Sequence, residues 1–436
     1  MARLNLKKFV FGSRTHEGAP VRQINAEQQL RRSVLACMLW EDQFYEDGVE
    51  IAGRIRELVP KVEAERVASL AVEAREKMKL RHAPLLLVRE MARNKTHRVQ
   101  VAETLQRVVQ RADELSEFVA IYWKDGKAPL SAQVKKGLAG AFTKFDAYAL
   151  AKYNRPGPIK LRDVLFLCHA KPLNDAQAEL WKQLVEGTLA SPDTWEVALS
   201  AGADKLQTWE RLLQENKLGA LALLRNLRNM KDADVDPNLV GTALRAMKTD
   251  RVLPFRFIAA ARHAPQWEQV LEQAMFKALA SQEKLPGKTV LLVDVSGSMN
   301  HPLSRNSEMH RTDAAYGLAV LLREICEQVA IYTFSDKLVQ VPARQGFALR
   351  DALEHSQSHS GTYLGKSLGE LTETYDRLIV ITDEQAHDTV PNPKGMGYMI
   401  NVASFKNGVG YGKWMHVDGW SEAVIGYIRE LEKMPK

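Results

Sequence analysis

Apolar residues recur every three or four positions through most of the first two thirds of the chain. Between residues 25 and 281 this spacing places sets such as Val101, Leu105 and Val108 on one face of a helix. Prolines and glycines separate helices of two to four turns. The pattern predicts an all-α helical-repeat array over residues 1–285, with repeats too degenerate to give a clean period. Further amphipathic helices are predicted at 175–189, 193–201, 204–215, 238–247 and 265–280.

The pattern changes after the short link Leu285–Lys288. Apolar runs typical of buried strands then alternate with helical stretches, which predicts a doubly wound parallel α/β sheet over residues 286–436. Strands are expected near 289–295, 329–334, 377–383 and 397–403, and helices near 312–328, 364–375 and 420–432. The sequence thus predicts two domains that meet near residue 285.

The first predicted strand ends in a group of oxygen-bearing side chains. The buried run Val290–Val293 is followed by Asp294, Ser296 and Ser298. One carboxylate and two hydroxyls within five residues are typical ligands of a hard divalent cation, Mg²⁺ above all. The plain alternative is a solvated turn after a strand.

Two later residues favour the metal site over the solvated turn. Thr362 follows a Ser-Gly turn, and Asp383 ends the predicted strand 377–383. In open α/β sheets, ligands bind beyond the carboxyl ends of the strands, where both carboxylates would lie. Together with Asp294, Ser296 and Ser298, these residues resemble the metal-ion-dependent adhesion site of von Willebrand factor A domains. No His, Cys or Lys is placed beside them to act as nucleophile or base, so the pattern does not predict catalysis.

The composition of the chain indicates its cellular compartment and the kind of partner that it could bind. No apolar stretch approaches the roughly 18 residues that span a membrane, and the first residues lack the apolar core of a secretory signal. The three cysteines are far apart and lack metal-ligand spacing, which favours a cytoplasmic protein with free thiols.

Residues 286–436 hold 15 Lys and Arg against 18 Asp and Glu, so the total of +7 leaves +10 for residues 1–285. This basic half could bind a polyanion, or its charges could simply solvate helix faces.

Several local strings resemble the TROVE module of the Ro autoantigen family. They are Ala220–Met230 (ALALLRNLRNM), Leu150–Pro172 (LAKYNRPGPIKLRDVLFLCHAKP) and Arg251–Ala260 (RVLPFRFIAA), followed by Asp294–Met299, Gly361-Thr362 and Gly419-Trp420. The resemblance covers nearly the whole chain in the family's order. It implies a HEAT-like helical ring closed by a C-terminal von Willebrand A domain.

The resemblance also implies that the protein binds RNA as a non-catalytic ribonucleoprotein component. In this family, single-stranded ends of misfolded non-coding RNA enter a central hole, and small structured Y RNAs bind the basic outer surface. No small-molecule substrate is implied, and a nuclease or another RNA-processing protein is a candidate partner. The residues that match the family's RNA contacts are Lys152, Arg155, His169 and Lys171, and the neighbouring or helix-borne cations that could widen the surface are Lys136, Lys144, Arg162 and Arg225.

Two departures and two alternative functions remain. Ser360 stands where relatives often have glycine, and Glu384 places extra negative charge beside Asp383. The chain is short for the family, so loops that hold Y RNA are expected to be trimmed. The main alternative function is a metal-dependent protein-interaction module on a helical scaffold. A metal-dependent nuclease is disfavoured because only Asp294 and Asp383 converge among the hydroxyls.

Overall fold

The computed structural model describes residues 25–36, 48–78, 80–154, 156–249, 252, 255–280, 282–302, 309–402, 413–418 and 423–433. Contacts divide them into a helical unit, which spans Ala26–Met38 and Gly48–Met247, and an α/β unit, which includes residues from Lys248 onward. The predicted combination of an all-α part and a doubly wound α/β part is confirmed. Within the described residues, no helix is long and apolar enough to cross a membrane.

The helical unit consists of short helices joined by short connections. Most of these helices bury an apolar stripe; α5, for example, buries Val101, Leu105 and Val108. Several helices pack on the helix two positions further along the chain, as α5 does on α7 and α7 on α9, which is typical of stacked helical repeats. The helices are α1 (Ala26–Ala36), α2 (Gly48–Leu58), α3 (Ala64–Glu76), α4 (His82–Arg93), α5 (Arg98–Val108), α6 (Asp113–Tyr122), α7 (Ala132–Phe142), α8 (Ala147–Tyr153), α9 (Leu161–Cys168), α10 (Asp175–Glu186), α11 (Trp195–Ser200), α12 (Lys205–Gln214), α13 (Ala220–Asp232) and α14 (Pro237–Ala246).

The α/β unit is built on a six-stranded sheet of order β3-β2-β1-β4-β5-β6. All neighbouring strands are parallel except β2 and β3, which form an antiparallel pair. The strands are β1 (Leu285–Asp294), β2 (Cys326–Phe334), β3 (Leu338–Val341), β4 (Arg377–Thr382), β5 (Met396–Asn401) and β6 (Met415–Asp418). The helices of this unit are α15 (Phe255–His263), α16 (Glu268–Leu279), α17 (Arg311–Ile325), α18 (Gly346–Glu354), α19 (Leu364–Glu370) and α20 (Ala423–Lys433).

The α/β unit begins earlier in the chain than the first predicted strand. Helix α16 packs on α17 and α18. Its Glu272 accepts the backbone N–H of Phe347 at 2.7 Å, and its Glu268 accepts a hydrogen bond from Arg350 at 3.1 Å. Residues 248–285 therefore pack with the sheet, whereas the boundary predicted at residue 285 marks where helical periodicity gives way to strands.

The central strands hold the functional edge of the sheet in place. Val290 and Leu292 of β1 and Val380 of β4 are fully buried in one apolar cluster. Helix α20 is tied to the start of β4, where Arg377 donates to Glu432 at 2.6 Å. The rigid strands β1 and β4 therefore fix the positions of the residues that follow their carboxyl ends.

Candidate metal centre and nucleic-acid surface

The predicted metal ligands meet at the carboxyl edge of β1 and β4. The register pairs Val293 with Ile381, so Asp294 lies level with Thr382 and beside Asp383. Asp294 Oδ1 accepts the backbone N–H of Ser296 at 2.9 Å, and its Oδ2 accepts the hydroxyl of Thr382 at 2.6 Å. Two neighbouring parallel strands thus deliver two carboxylates to one point.

The predicted hydroxyl ligands lie on two turns that are hydrogen-bonded to each other. Ser296 Oγ lies 3.2 Å from Ser298 Oγ. The N–H of Gly297 donates to the carbonyl of Ser360 at 3.0 Å, which joins this turn to the turn that carries Thr362. Ser360 is not in the left-handed region, so a serine fits there without backbone strain.

The second turn is fixed from its other side by the end of β2. Ser335 donates its hydroxyl to the carbonyl of Gly361 at 2.8 Å and accepts the N–H of Ser360 at 3.0 Å. The structure therefore joins the turn of Ser296 and Ser298 to the turn that carries Thr362, at the edge where the strands bearing Asp294 and Asp383 end.

The site is buried and carries excess negative charge. Asp294, Ser296, Thr362 and Asp383 are buried, while Ser298 is half-buried. Burial, and then the charge of Asp383, raises the pKa of Asp294 to about 7. Oδ1 of Asp383 is buried and has no hydrogen-bond partner among the residues that the structure describes. A buried carboxylate oxygen without a donor, at an edge that also carries the hydroxyls of Ser296 and Ser298, is the environment that a hard divalent cation would complete.

Glu384 takes a different direction from its neighbour Asp383. Its backbone is left-handed, with φ of 59°, and its N–H donates to the hydroxyl of Thr382 at 3.0 Å. Its Oε1 lies 2.7 Å from Nδ1 of His416 on β6, and both side chains are shielded from solvent. The extra carboxylate noted in the sequence is thus held on the β6 side of the site.

A second group of predicted residues lies on α8 and its surroundings. The ammonium of Lys152 lies 5.6 Å from the ring centre of Tyr148 and 5.9 Å from that of Tyr153. The guanidinium of Arg111 lies 4.6 Å from the ring of Tyr153. Tyr148 is 48% exposed. Cations therefore alternate with aromatic rings, one of which is open to solvent.

Most of the other predicted RNA contacts are exposed. These are Lys136, Arg162, His169, Lys171 and Arg225. Arg162 lies 3.9 Å from the carboxylate of Asp163, and His169 caps α9 in a left-handed conformation with φ of 52°. Arg155 lies outside the described residues. Exposure leaves these cations accessible to a phosphate, and their RNA contacts remain predictions.

Lys144 has a role that the sequence did not predict. Its ammonium donates to the carbonyls of Gln106 and Val109, the latter at 2.8 Å, at the end of α5. Desolvation lowers the pKa of this lysine. Because unpaired carbonyls at a helix end need donors, Lys144 acts as a cap between elements, and its contact with RNA stays a prediction.

Three contacting residues were missed from the sequence. Tyr148 precedes Lys152 by four positions, a spacing that places both on one helix face and could have indicated the pair. Arg111 and Arg311 meet their partners only through tertiary packing. Arg311 donates to Asp383 Oδ2 at 2.9 Å, and no local pattern connects these residues.

Part of the chain matches a known protein family, and its fold is similar to that of a solved structure. Residues 186–314 match the TROVE domain family. Over 133 residues the chain is 29% identical to telomerase protein component 1 of Mus musculus, a match that covers 29% of this chain and 4% of that protein. The crystal structure of the Deinococcus radiodurans Ro (RSR) protein superposes with a TM-score of 0.65 and 18% identity, covering 93% of this chain and 98% of that one. Residues 186–314 therefore match the TROVE domain family, and the chain shares the fold of the Deinococcus radiodurans Ro protein.

Proposed function

We propose that this protein is a non-catalytic RNA-binding component of a Ro-type ribonucleoprotein. Its ligands would be small structured, Y-like RNA and the single-stranded ends of misfolded non-coding RNA, for quality control or processing. The observation that carries the proposal is the surface formed by Arg111, Tyr148, Lys152 and Tyr153, where cations alternate with aromatic rings. We call these four residues the α8 surface.

The chemistry of the α8 surface suits unpaired RNA. An exposed ring such as Tyr148 can stack on any base, and each stacked base contributes about 1–3 kcal/mol. Lys152 is within reach of the same ring and can neutralise a phosphate. The net charge of +10 over residues 1–285 would add long-range attraction for a polyanion.

Salt-dependent binding of a labelled RNA hairpin with a single-stranded tail tests the proposal. Each lost phosphate contact should reduce the log–log salt slope by about 0.7. Changing Lys152 and Arg155 together to Ala should reduce it by about 1 to 1.5. The matched control is Lys182→Ala on α10, because Lys182 is exposed and lies 3.7 Å from Glu179. An unchanged slope in the double variant would place the RNA path elsewhere.

Two substitutions of Tyr148 distinguish the contribution of base stacking to RNA binding from the contribution of charge. Tyr148→Phe keeps the ring and should bind the tailed hairpin like the wild type. Tyr148→Ala should weaken binding of the tailed hairpin by roughly tenfold, the low end of the loss of one stacked base, with little change in salt slope. A blunt duplex of equal length should bind both variants alike.

We further propose that Asp294, Ser296, Ser298, Thr362 and Asp383 hold one Mg²⁺ with water completing its shell. The ion would supply a fixed positive charge at the edge of the sheet, where this chain's residues provide carboxylate and hydroxyl oxygens. The unpartnered Oδ1 of Asp383 is the observation that supports it.

The half-buried position of Ser298 favours a second candidate function, a metal-dependent protein-interaction module. An acidic side chain of a partner protein would then complete the ion's coordination. The two functions differ in a simple measurement. Protein purified at low salt should carry nucleic acid, seen in its absorbance ratio, and release it at high salt if RNA is the ligand. A clean preparation whose partner is a protein released by chelator would favour the second.

A further inference from the structure

Arg311 bridges the two halves of the candidate metal site. This residue begins α17, and its guanidinium donates to Asp383 Oδ2 at 2.9 Å and to the carbonyl of Ser298 at 3.1 Å. The side chains of Arg311 and Asp383 are 9% and 0% exposed. A buried positive charge therefore already contacts one of the two carboxylates proposed to bind the ion.

The charges at this edge do not cancel. Asp294 and Asp383 contribute two buried carboxylates, and Arg311 neutralises one of them. Oε1 of Glu384 lies 2.7 Å from Nδ1 of His416 on β6. The hydroxyl of Tyr316 also lies close enough to feel the charge of Asp294. Among the described residues, two buried carboxylates therefore share one buried guanidinium.

We propose that Arg311 is a built-in counter-cation: it keeps the carboxylate pair folded without a divalent ion and thereby weakens binding of that ion. The inference rests on the proposed Mg²⁺ site. Two physical effects support it. Removing one partner of a buried ion pair leaves an uncompensated charge that destabilises the fold. Affinity for a hard cation also rises with the net negative charge of its ligands, so a guanidinium bonded to Asp383 lowers it.

The opposite outcome has an equally clear physical basis. Arg311 also holds the carbonyl of Ser298, so it could orient the Ser296–Ser298 turn for the ion. If orientation outweighs charge, loss of Arg311 would weaken ion binding. The two effects thus predict opposite signs for the same substitution.

Mg²⁺ binding to the full-length protein, measured by calorimetry, distinguishes them. Arg311→Gln should bind Mg²⁺ on the order of tenfold more tightly than the wild type, because a ligand carboxylate regains its full charge. Its melting temperature should fall in chelator and recover more than the wild type's on addition of Mg²⁺. Arg311→Lys keeps the charge and should bind Mg²⁺ with an affinity close to that of the wild type.

A matched control is available at the opposite end of β4. Arg377 is 3% exposed and paired with Glu432. Arg377→Gln should destabilise the protein in chelator without increasing its response to Mg²⁺. If Arg311→Gln yields no folded protein in chelator, refolding it in increasing Mg²⁺ should recover folded protein, and the same series should not recover Arg377→Gln.

The outcomes separate the inference from the site on which it rests. Wild-type binding with weaker or unchanged binding by Arg311→Gln overturns the inference and leaves the site. Binding by neither protein overturns both. Binding by Arg311→Gln alone supports the inference in its strongest form, in which the arginine fully replaces the ion.

Discussion

The hydroxyl of Thr382 donates to Oδ2 of Asp294 at 2.6 Å, across the boundary between β4 and β1. The same hydroxyl oxygen accepts the N–H of Glu384 at 3.0 Å. One buried side chain therefore satisfies a carboxylate of the first strand and the backbone that follows Asp383. It links Asp294 to the backbone just after Asp383 and is not one of the predicted ion ligands.

Thr382→Val should lower the free energy of unfolding by about 1–3 kcal/mol, because it leaves Asp294 Oδ2 and the Glu384 N–H without a buried partner. Urea denaturation measures the change. Thr382→Ser keeps the hydroxyl and should lose much less. Equal losses in the two variants would mean that the methyl group, and not the hydrogen bond, stabilises this edge.

Asp294→Asn should remove the response of the protein to Mg²⁺. In chelator its melting temperature should match or exceed that of the wild type, since the repulsion between two buried carboxylates is gone while the acceptor for the Ser296 N–H remains. Melting curves with and without Mg²⁺ provide the measurement. Asp351→Asn on α18, an exposed position, is the control. A variant that still responds to Mg²⁺ like the wild type would argue against Asp294 as a ligand.

Lys144 and Lys136 should separate stability from RNA binding. Lys144→Met removes the ammonium that caps the carbonyls of Gln106 and Val109, and should cost about 1 kcal/mol of unfolding free energy. It should leave the salt slope of RNA binding unchanged. Lys136→Met, at an exposed position, should leave stability unchanged and reduce the slope by about 0.7 if Lys136 contacts a phosphate. A reduced salt slope with unchanged stability in Lys144→Met would support Lys144 as an RNA contact.

Asp125 should give the helical unit a stability that depends on acid pH. Hydrogen bonds from Arg93 and then Arg89 lower the pKa of this carboxyl to about 2. Because the folded-state pKa is depressed, the stabilisation is complete above the unfolded value of about 3.9 and is lost as the pH falls through about 2. The carboxylate is 41% exposed, so the effect should stay below about 1 kcal/mol.

The test compares the wild type with Asp125→Asn in urea at several pH values. The wild type should be more stable at pH 5, and the difference should shrink toward zero near pH 2. If the wild type remains more stable than Asp125→Asn at pH 2, the Asp125 side chain stabilises the fold through its packing and not through its charge.

Much of the fold followed from periodicity because most of the longer elements bury a regular apolar stripe. The four predicted strands are present as β1, β2, β4 and β5, with ends that differ by a few residues. Strand β3 (LVQV) was missed because it is a four-residue edge strand with half-exposed side chains, and β6 (MHVD) is equally short. A period of two cannot be recognised in four residues.

The candidate site was predictable where its residues are local and unpredictable where they depend on packing. Asp294, Ser296 and Ser298 share one turn, and Asp383 follows a strand, so each had a recognisable context. Arg311 is 72 positions from Asp383, and only the folded sheet brings them together. The carbonyl contacts of Lys144 were not predictable, because a lysine that caps carbonyls has the same sequence signature as one that binds phosphate.

The pairing of β1 with β4 also determines when the site can exist. The two carboxylates are separated by the whole of β2, β3, α17, α18 and α19, so they meet only after this long stretch of chain has been synthesised and closed. A nascent chain that has emerged only as far as α18 carries the first turn of the site without its second carboxylate. Ion binding during synthesis would therefore begin only when β4 joins the sheet, which makes it a marker of the completed centre of this domain.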